Sequence, residues 1–346
     1  MRKVVVHRAG DHRQLCVEDH PDPRPGPGEV CVATAAVGVN FADCVVRMGL
    51  YESAKKYVGW PITPGFEFAG RVQEIGASVD DLAPGDEVFG VTRFGGYATH
   101  VVVPRAWLFR RPEHMSVEEA AAFPAVHLTA WYALCELAAP RPGAVLLVHS
   151  AAGGVGGALC KLGAIAGSRV IGVVGAPHKE KVARELGAHE VIDKSRVDLW
   201  AEAERLAPEG FDAVFDANGV ETLAESYGHL AAGGRLVVYG FHSMLRRGAA
   251  RPSWPKLAVG WLRTPRFNPI AMTGDNRSVM AFNLSYLFDH TDRYQEAMDA
   301  LLGWLAEGRL RAPPIRSLPL DRVAEAHAAL ESGTSVGKLV LLTGDG

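Results

Sequence analysis

The sequence predicts an α/β protein of two domains: a barrel of short antiparallel strands and a doubly wound parallel sheet. Three observations carry that reading. Short β signals broken by Pro and Gly fill the first 120 or so residues. From Val117 the texture turns helical, and a repeating strand and helix pattern follows. Within that pattern, Val145 to Gly167 (VLLVHSAAGGVGGALCKLGAIAG) reads as a buried strand, a tight glycine turn and a small-residue helix.

The elements follow in order. A first strand is expected at Lys3 to His7, then strands at Val30 to Val37, Phe68 to Ile75, Glu87 to Thr92 and Tyr97 to Val103. Turns at Pro25-Gly26-Pro27-Gly28, Pro64-Gly65 and Pro84-Gly85-Asp86 separate them. Helices are predicted at Glu118 to Ala122 and Leu128 to Leu137. Strands at 145–149, 169–174, 190–193, 212–216 and 235–239 then alternate with helical segments at 155–166, 179–186, 197–206 and 221–231. Such alternation predicts right-handed crossovers. Pro313-Pro314 precedes a last helix (Asp321 to Leu330) and strand (Lys338 to Leu342). The tail is expected to rejoin the barrel, so residues 1–122 and 274–346 form one domain around an inserted 123–273.

Composition narrows the function. The 346 residues, 48% of them hydrophobic, supply a sizeable core, and a net charge of −3 offers no general attraction to nucleic acid. No apolar run reaches the roughly 18 residues that span a bilayer. A strand starting within three residues leaves no room for a signal peptide. Five scattered cysteines suit reduced thiols and a cytoplasmic location.

Ala151, Gly153 and Gly156 keep the spacing of a dinucleotide fingerprint, with Ala in the first glycine place. Small residues here let backbone approach a pyrophosphate, and beyond Gly154 the helix amides from Val155 onward point at its charge. An NAD site usually places Asp or Glu at the tip of the second strand. Here that tip is Val173-Val174-Gly175, followed by Ala176-Pro177-His178-Lys179-Glu180-Lys181. Lys179 and Lys181 also read as ordinary exposed residues of a helix start. The missing acid favours a 2′-phosphate and hence NADPH, with Lys194 past the third strand as a second counter-charge.

Four motifs then carry a family resemblance: Gly38-Val39-Asn40-Phe41-Ala42-Asp43, Pro64-Gly65-Phe66-Glu67-Phe68-Ala69-Gly70, Pro84-Gly85-Asp86-Glu87-Val88 and Ala151-Ala152-Gly153-Gly154-Val155-Gly156. With them the chain resembles the medium-chain dehydrogenase/reductase superfamily and, within it, the zeta-crystallin-type quinone oxidoreductases. Phe282-Asn283-Leu284-Ser285-Tyr286-Leu287 and Val336-Gly337-Lys338 look most like the branch of vesicle amine transport protein homologues. The resemblance implies a GroES-like barrel, a Rossmann domain and a homodimer. It places Asn40, Thr129, Asn218, Tyr239, Gly240, Phe241, Phe282 and Lys338 around the cofactor, and Tyr51 at the substrate. Two positions depart from the quinone reductase signature: Lys161 replaces a glutamine and Ala144 an early polar residue.

Zinc-bearing relatives have Gly-His-Glu where this chain has Gly65-Phe66-Glu67, and cysteine near Asn40. Neither Phe66 nor Asn40 supplies such a ligand, and none of the thirteen histidines falls in a ligand cluster along the sequence. No metal is therefore expected, and Glu67 and Asp43 read as structural carboxylates. Without a Lewis acid the accessible chemistry is hydride delivery to a quinone or an α,β-unsaturated carbonyl. Asn40 is the candidate for orienting the cofactor or donating to an oxyanion, and Tyr51 for donating a proton or stacking.

One stretch stands apart. From His242 to Thr273 no acid occurs, while Arg246, Arg247, Arg251, Lys256, Arg263 and Arg266 gather beside Trp254, Trp261 and Phe267. It reads as a solvated loop, a flap over the substrate, a subunit border, or a surface for anionic lipid over 246–266. The last option supports a second function class, a nucleotide-binding module attached to a membrane or partner with little turnover. Nucleic-acid binding has no basic-aromatic motif behind it.

Overall fold

The computed structural model describes residues 1–245 and 251–344, so Arg246 and Arg247 lie outside the described residues. An antiparallel ribbon opens the chain, β1 (Arg2–Val5) on β2 (Cys16–Asp19). The barrel strands follow: β3 (Glu29–Val39), β4 (Glu67–Ile75), β5 (Glu87–Val91), β6 (His100–Pro104) and β7 (Leu108–Arg110). Six parallel strands come next: β8 (Val145–Val148), β9 (Arg169–Val174), β10 (Glu190–Asp193), β11 (Phe211–Asp216), β12 (Leu230–Val238) and β13 (Ser278–Ala281). The tail returns with β14 (Ile315–Pro319) and β15 (Lys338–Leu342).

β3 is the hub of the barrel. Val30, Val32, Val37 and Val39 are buried along it, and it pairs antiparallel with β4, β6 and β15. A strand covered on both faces needs such a run of β-branched residues. The parallel sheet runs β10-β9-β8-β11-β12-β13, the doubly wound order that puts the carboxyl ends of β8 and β11 at the switch point. Phe89, Phe109 and Phe123 from the barrel side share one core with Leu128, Leu146, Val148 and Leu159, so the seam between the sheets is packed. Burying each Phe there contributes about 1.5–3 kcal/mol.

Several expectations are corrected. The helix expected over 221–231 is Leu223–Gly228, and β12 begins at Leu230 rather than 235. Gly233, with φ +86°, accommodates an irregular start that a periodic reading takes for helix. β13 falls in 274–346, assigned above to the barrel domain, yet pairs with β12 from Arg235↔Ser278 to Val238↔Ala281. Four residues of strand carry too little pattern to announce a sheet edge. Tyr97 lies ahead of β6, in a loop bridged to β1. The helix expected at Leu128 starts four residues sooner, with Pro124 at its first position, and widens to a π-helix over Tyr132–Ala138.

Candidate active site

β3 delivers Asn40 to the start of the helix Phe41–Arg47, β4 opens with Glu67, and β15 opens with Lys338. These three side chains meet. Lys338 Nζ donates to Glu67 Oε1 at 2.5 Å, to Asn40 Oδ1 at 2.7 Å and to the Val39 carbonyl at 3.0 Å. Asn40 Nδ2 donates to the same Glu67 oxygen at 2.8 Å, while Glu67 Oε2 accepts the Ala125 N–H at 2.8 Å. Glu67 is fully buried and Lys338 only 3% exposed, so Lys338 is not a surface lysine. All three ammonium hydrogens have acceptors, the condition under which a buried ion pair is tolerated. A Cβ at Gly38 would collide with the Glu67 carboxylate and the Ala121 carbonyl, so glycine opens this approach.

Asp43 sits one turn along the helix, fully buried. Its carboxylate accepts the Asn40 N–H at 2.8 Å, the Gly65 N–H at 2.8 Å and the Tyr97 hydroxyl at 2.9 Å. Burial pushes this carboxyl up to about 7, against the lowering effect of those donors. The structural reading of Asp43 as a helix-start carboxylate agrees with this geometry.

The glycine loop lies against the same centre. Ser150 takes φ +57°, Gly153 caps the helix Gly154–Ile165, and a Cβ at Gly156 would collide with the Ser150 carbonyl. Ala151 fits the first glycine place because Gly172 faces it: a Cβ there would come 2.8 Å from the Ala151 Cβ. The tail stitches the loop down. Gly337 N–H donates to the Ala152 carbonyl at 3.1 Å, and a Cβ at Gly154 would meet Lys338 Cδ at 3.1 Å and Val126 Cγ1 at 2.8 Å. Val155, the second residue of the helix, is half-buried.

At the carboxyl ends of β11 and β12, buried Asp216 accepts the N–H groups of Asn218 (2.8 Å) and Gly219 (2.9 Å) and the hydroxyls of Thr222 (2.6 Å) and Ser226 (3.0 Å). His149 Nε2 stands 3.1 Å from the Ser226 hydroxyl, and burial lowers its pKa. This knot, absent from the sequence reading, fixes the turn that carries Asn218. Gly240 passes so close to Ala217 that a Cβ would come 2.9 Å from its carbonyl, and Phe241 packs on Gly219 while remaining 45% exposed. The Tyr239 hydroxyl and Ser243 Oγ are buried without a hydrogen-bond partner among the described residues. Phe282 packs on Tyr132 and Tyr239, with ring centroids 4.9 and 6.4 Å away.

Other candidates are spread more widely. Lys194 Cε lies 3.8 Å from where a Gly175 Cβ would stand, while Lys179 Nζ donates to the Gly333 carbonyl at 2.6 Å. The Thr129 hydroxyl bonds back to the Ala125 carbonyl at 2.6 Å. Tyr51 donates to Asn283 Oδ1 at 2.9 Å, and its ring meets Phe66 and Phe94 edge-on at 5.7 and 6.3 Å. Burial raises the phenol's pKa.

The histidine reading needs correction. Cys44, His327 and Glu331 bring ligand-type atoms within 4.8 Å of one another, all buried, across a sequence gap that no spacing rule bridges. Their carboxylate is already engaged: Arg47 Nη2 lies 2.7 Å from Glu331 Oε1, and His12 Nε2 lies 3.0 Å from Oε2. With a guanidinium as resident cation, the cluster is an ion-pair network tying the helix Val323–Ser332 to the helix Phe41–Arg47.

Comparison with known proteins bears on the family and the fold. A family described as alcohol dehydrogenase GroES-like domain matches residues 26–113, and one described as zinc-binding dehydrogenase matches 186–341. The synaptic vesicle membrane protein VAT-1 homolog of Rattus norvegicus is 32% identical over 99% of this chain and 84% of its own length. The quinone oxidoreductase of Homo sapiens is 29% identical over 99% and 98%. The solved Escherichia coli quinone oxidoreductase complexed with NADPH superposes with a TM-score of 0.85 at 25% identity, covering 99% of this chain and all of that one. The match thus runs along nearly the whole length, and the chain belongs to the medium-chain dehydrogenase/reductase superfamily of oxidoreductases, close to the VAT-1 homologues and quinone oxidoreductases.

Proposed function

We propose that the protein is a zinc-independent, NADPH-dependent reductase of quinones or α,β-unsaturated carbonyls. The carrying observation is Lys338, whose ammonium is buried between Asn40 and Glu67 and whose stem Cδ lies against the glycine loop at Gly154. A resident cation there repels a divalent metal and occupies the acceptors one would need.

The residues fit a dinucleotide. Gly153, Gly154 and Gly156 form a cradle that a Cβ would fill, and the unpartnered Tyr239 and Ser243 hydroxyls wait at the strand ends where open α/β sheets bind ligands. Val155 amide and helix dipole would face the pyrophosphate, Asn218, Gly240, Phe241 and Phe282 would wall the nicotinamide end, and Thr129 would line it by its methyl. Gly175, Lys179 and Lys194 would receive the 2′-phosphate, Lys179 by leaving the Gly333 carbonyl. When bound, NADPH supplies a hydride. Asn40 keeps one amide hydrogen after serving Glu67, available to an oxygen that gains negative charge. Tyr51 hydrogen-bonds Asn283, so its proposed role is to orient and stack on a flat acceptor.

A homodimer is proposed through the edge strand β13, which ends the parallel sheet. A cytoplasmic location is proposed as well; among the described residues no helix is long and apolar enough to cross a membrane. Anaerobic stopped-flow with NADPH and a panel of quinones and enones tests the enzyme reading: loss of NADPH absorbance is expected. Tight NADPH binding with no turnover on any acceptor would refute it.

One observation favours the second reading. The helix Trp254–Arg263 leaves Trp254, Trp261 and Leu262 about 70% exposed, and Ile270 is 83% exposed, beside Arg263 and Arg266. That arrangement supports contact with anionic headgroups or a partner.

A further inference from the structure

We infer that Asp43 is a positioning residue of the reductase centre, holding Asn40 and the Gly65–Glu67 segment at one fixed separation. The inference rests on the reading above and adds a residue that touches neither acceptor nor coenzyme in it. Its argument is geometric. Oδ1 takes the Gly65 N–H, and Oδ2 takes the Asn40 N–H together with the Tyr97 hydroxyl. One buried carboxylate therefore clamps the start of the helix Phe41–Arg47 to the segment entering β4. Asn40 Nδ2 and Glu67 Oε1 meet at 2.8 Å across that clamp.

The clamp is itself braced. Tyr97 is fully buried, and its hydroxyl lies 3.3 Å from His327 Nε2 on the helix Val323–Ser332. Burial keeps His327 neutral by pushing its pKa well down, so its Nε2 can face the phenol oxygen without adding charge. Three separate segments of the chain thus converge on Asp43. Replacing its carboxylate leaves two backbone N–H groups without an acceptor, and the Asn40 backbone loses its anchor while its side chain keeps only Glu67 and Lys338. A substitution that acts only through Asn40 lowers turnover and spares coenzyme affinity, because the glycine loop makes no bond to Asp43.

Asp43→Asn keeps the shape but sets an NH2 against the Asn40 N–H; Tyr97→Phe keeps the ring and removes one donor. With NADPH and a 1,4-quinone, kcat is expected to fall 10- to 100-fold in the first and about 3-fold in the second. The Kd for NADPH stays within 2-fold in both. Selective 15N-Asn labelling reads the placement without turnover: the Asn40 backbone and side-chain signals shift in both variants. Unchanged kcat, or a loss of NADPH affinity matching the loss of kcat, overturns the inference. If the wild type turns over no acceptor, the reductase reading falls, and unmoved Asn40 signals would still overturn the positioning role. Should Asp43→Asn not fold, Tyr97→Phe decides by the same measurements.

Discussion

Lys338 and Glu67 are 271 residues apart in sequence, and their charges lie 2.5 Å apart in a place almost closed to water. Breaking a buried pair leaves one charge without compensation, at a cost of about 3–5 kcal/mol. Lys338→Met is therefore expected to lose about that much stability in urea unfolding, and Lys338→Met with Glu67→Gln to recover most of it. A double variant whose loss equals the sum of the losses of Lys338→Met and Glu67→Gln would mean the pair is not coupled.

Gly156→Ala tests the cradle. The new methyl meets the Ser150 carbonyl, so the loop must shift, at about 1–3 kcal/mol of stability. Calorimetry is expected to show NADPH affinity at least 10-fold weaker. An alanine variant that binds as tightly as wild type would remove the cradle from the site.

Coenzyme choice is expected to follow Lys179 and Lys194. Converting both to Glu places negative charge against the 2′-phosphate and weakens NADPH by about 10- to 100-fold while leaving NADH within a few-fold. Parallel titrations with the two coenzymes check this; equal weakening of both counts against the assignment.

Three buried histidines predict the response to acid. Burial pushes His127 down from 6.5 to about 4, and lowers His149 and His327 too. Between pH 4 and 6.5 the unfolded chain holds more protons on these groups than the folded one, so their effect is stability that rises with pH and is lost on acidification. For His127 alone the gap is worth about 3 kcal/mol. Asp43 acts with the opposite sign: raised from 3.8 to about 7, it makes stability fall as pH rises through that window. Urea midpoints of wild type and His127→Gln isolate the first term. The stability difference in favour of wild type should grow by about 3 kcal/mol from pH 4 to 6.5.

The exposed tryptophan helix carries the last prediction. Wild type should co-sediment with liposomes containing phosphatidylserine, and Trp261→Ala/Arg263→Glu should reduce that fraction at least threefold with stopped-flow rates unchanged. No binding by wild type removes the membrane reading.

How far the site was legible depended on distance along the chain. Gly153 and Gly156 were readable because a strand, a turn and a helix within some 20 residues must all agree. Asn40 and Lys338 were reached through resemblance, and the structure brings them into contact. Along the sequence Glu67 is legible only as a structural carboxylate beside Phe66, because its partners Lys338 and Asn40 lie 271 and 27 residues away. Cys44, His327 and Glu331 were invisible as a group, since the helices bearing them lie at opposite ends of the chain. β13 was missed because four residues of strand have no periodicity to speak of.

Sequence alone determined the two architectures and the glycine loop, because strand and helix periods, turn glycines and steric demands act between near neighbours. Tertiary structure alone decided which charges meet. Whether a lysine is a solvated surface group or the resident cation of a buried centre depends on the dielectric around it and on the carboxylate it faces. For Lys338 both came into being only when β15 was laid beside β3, with Glu67 at the head of β4.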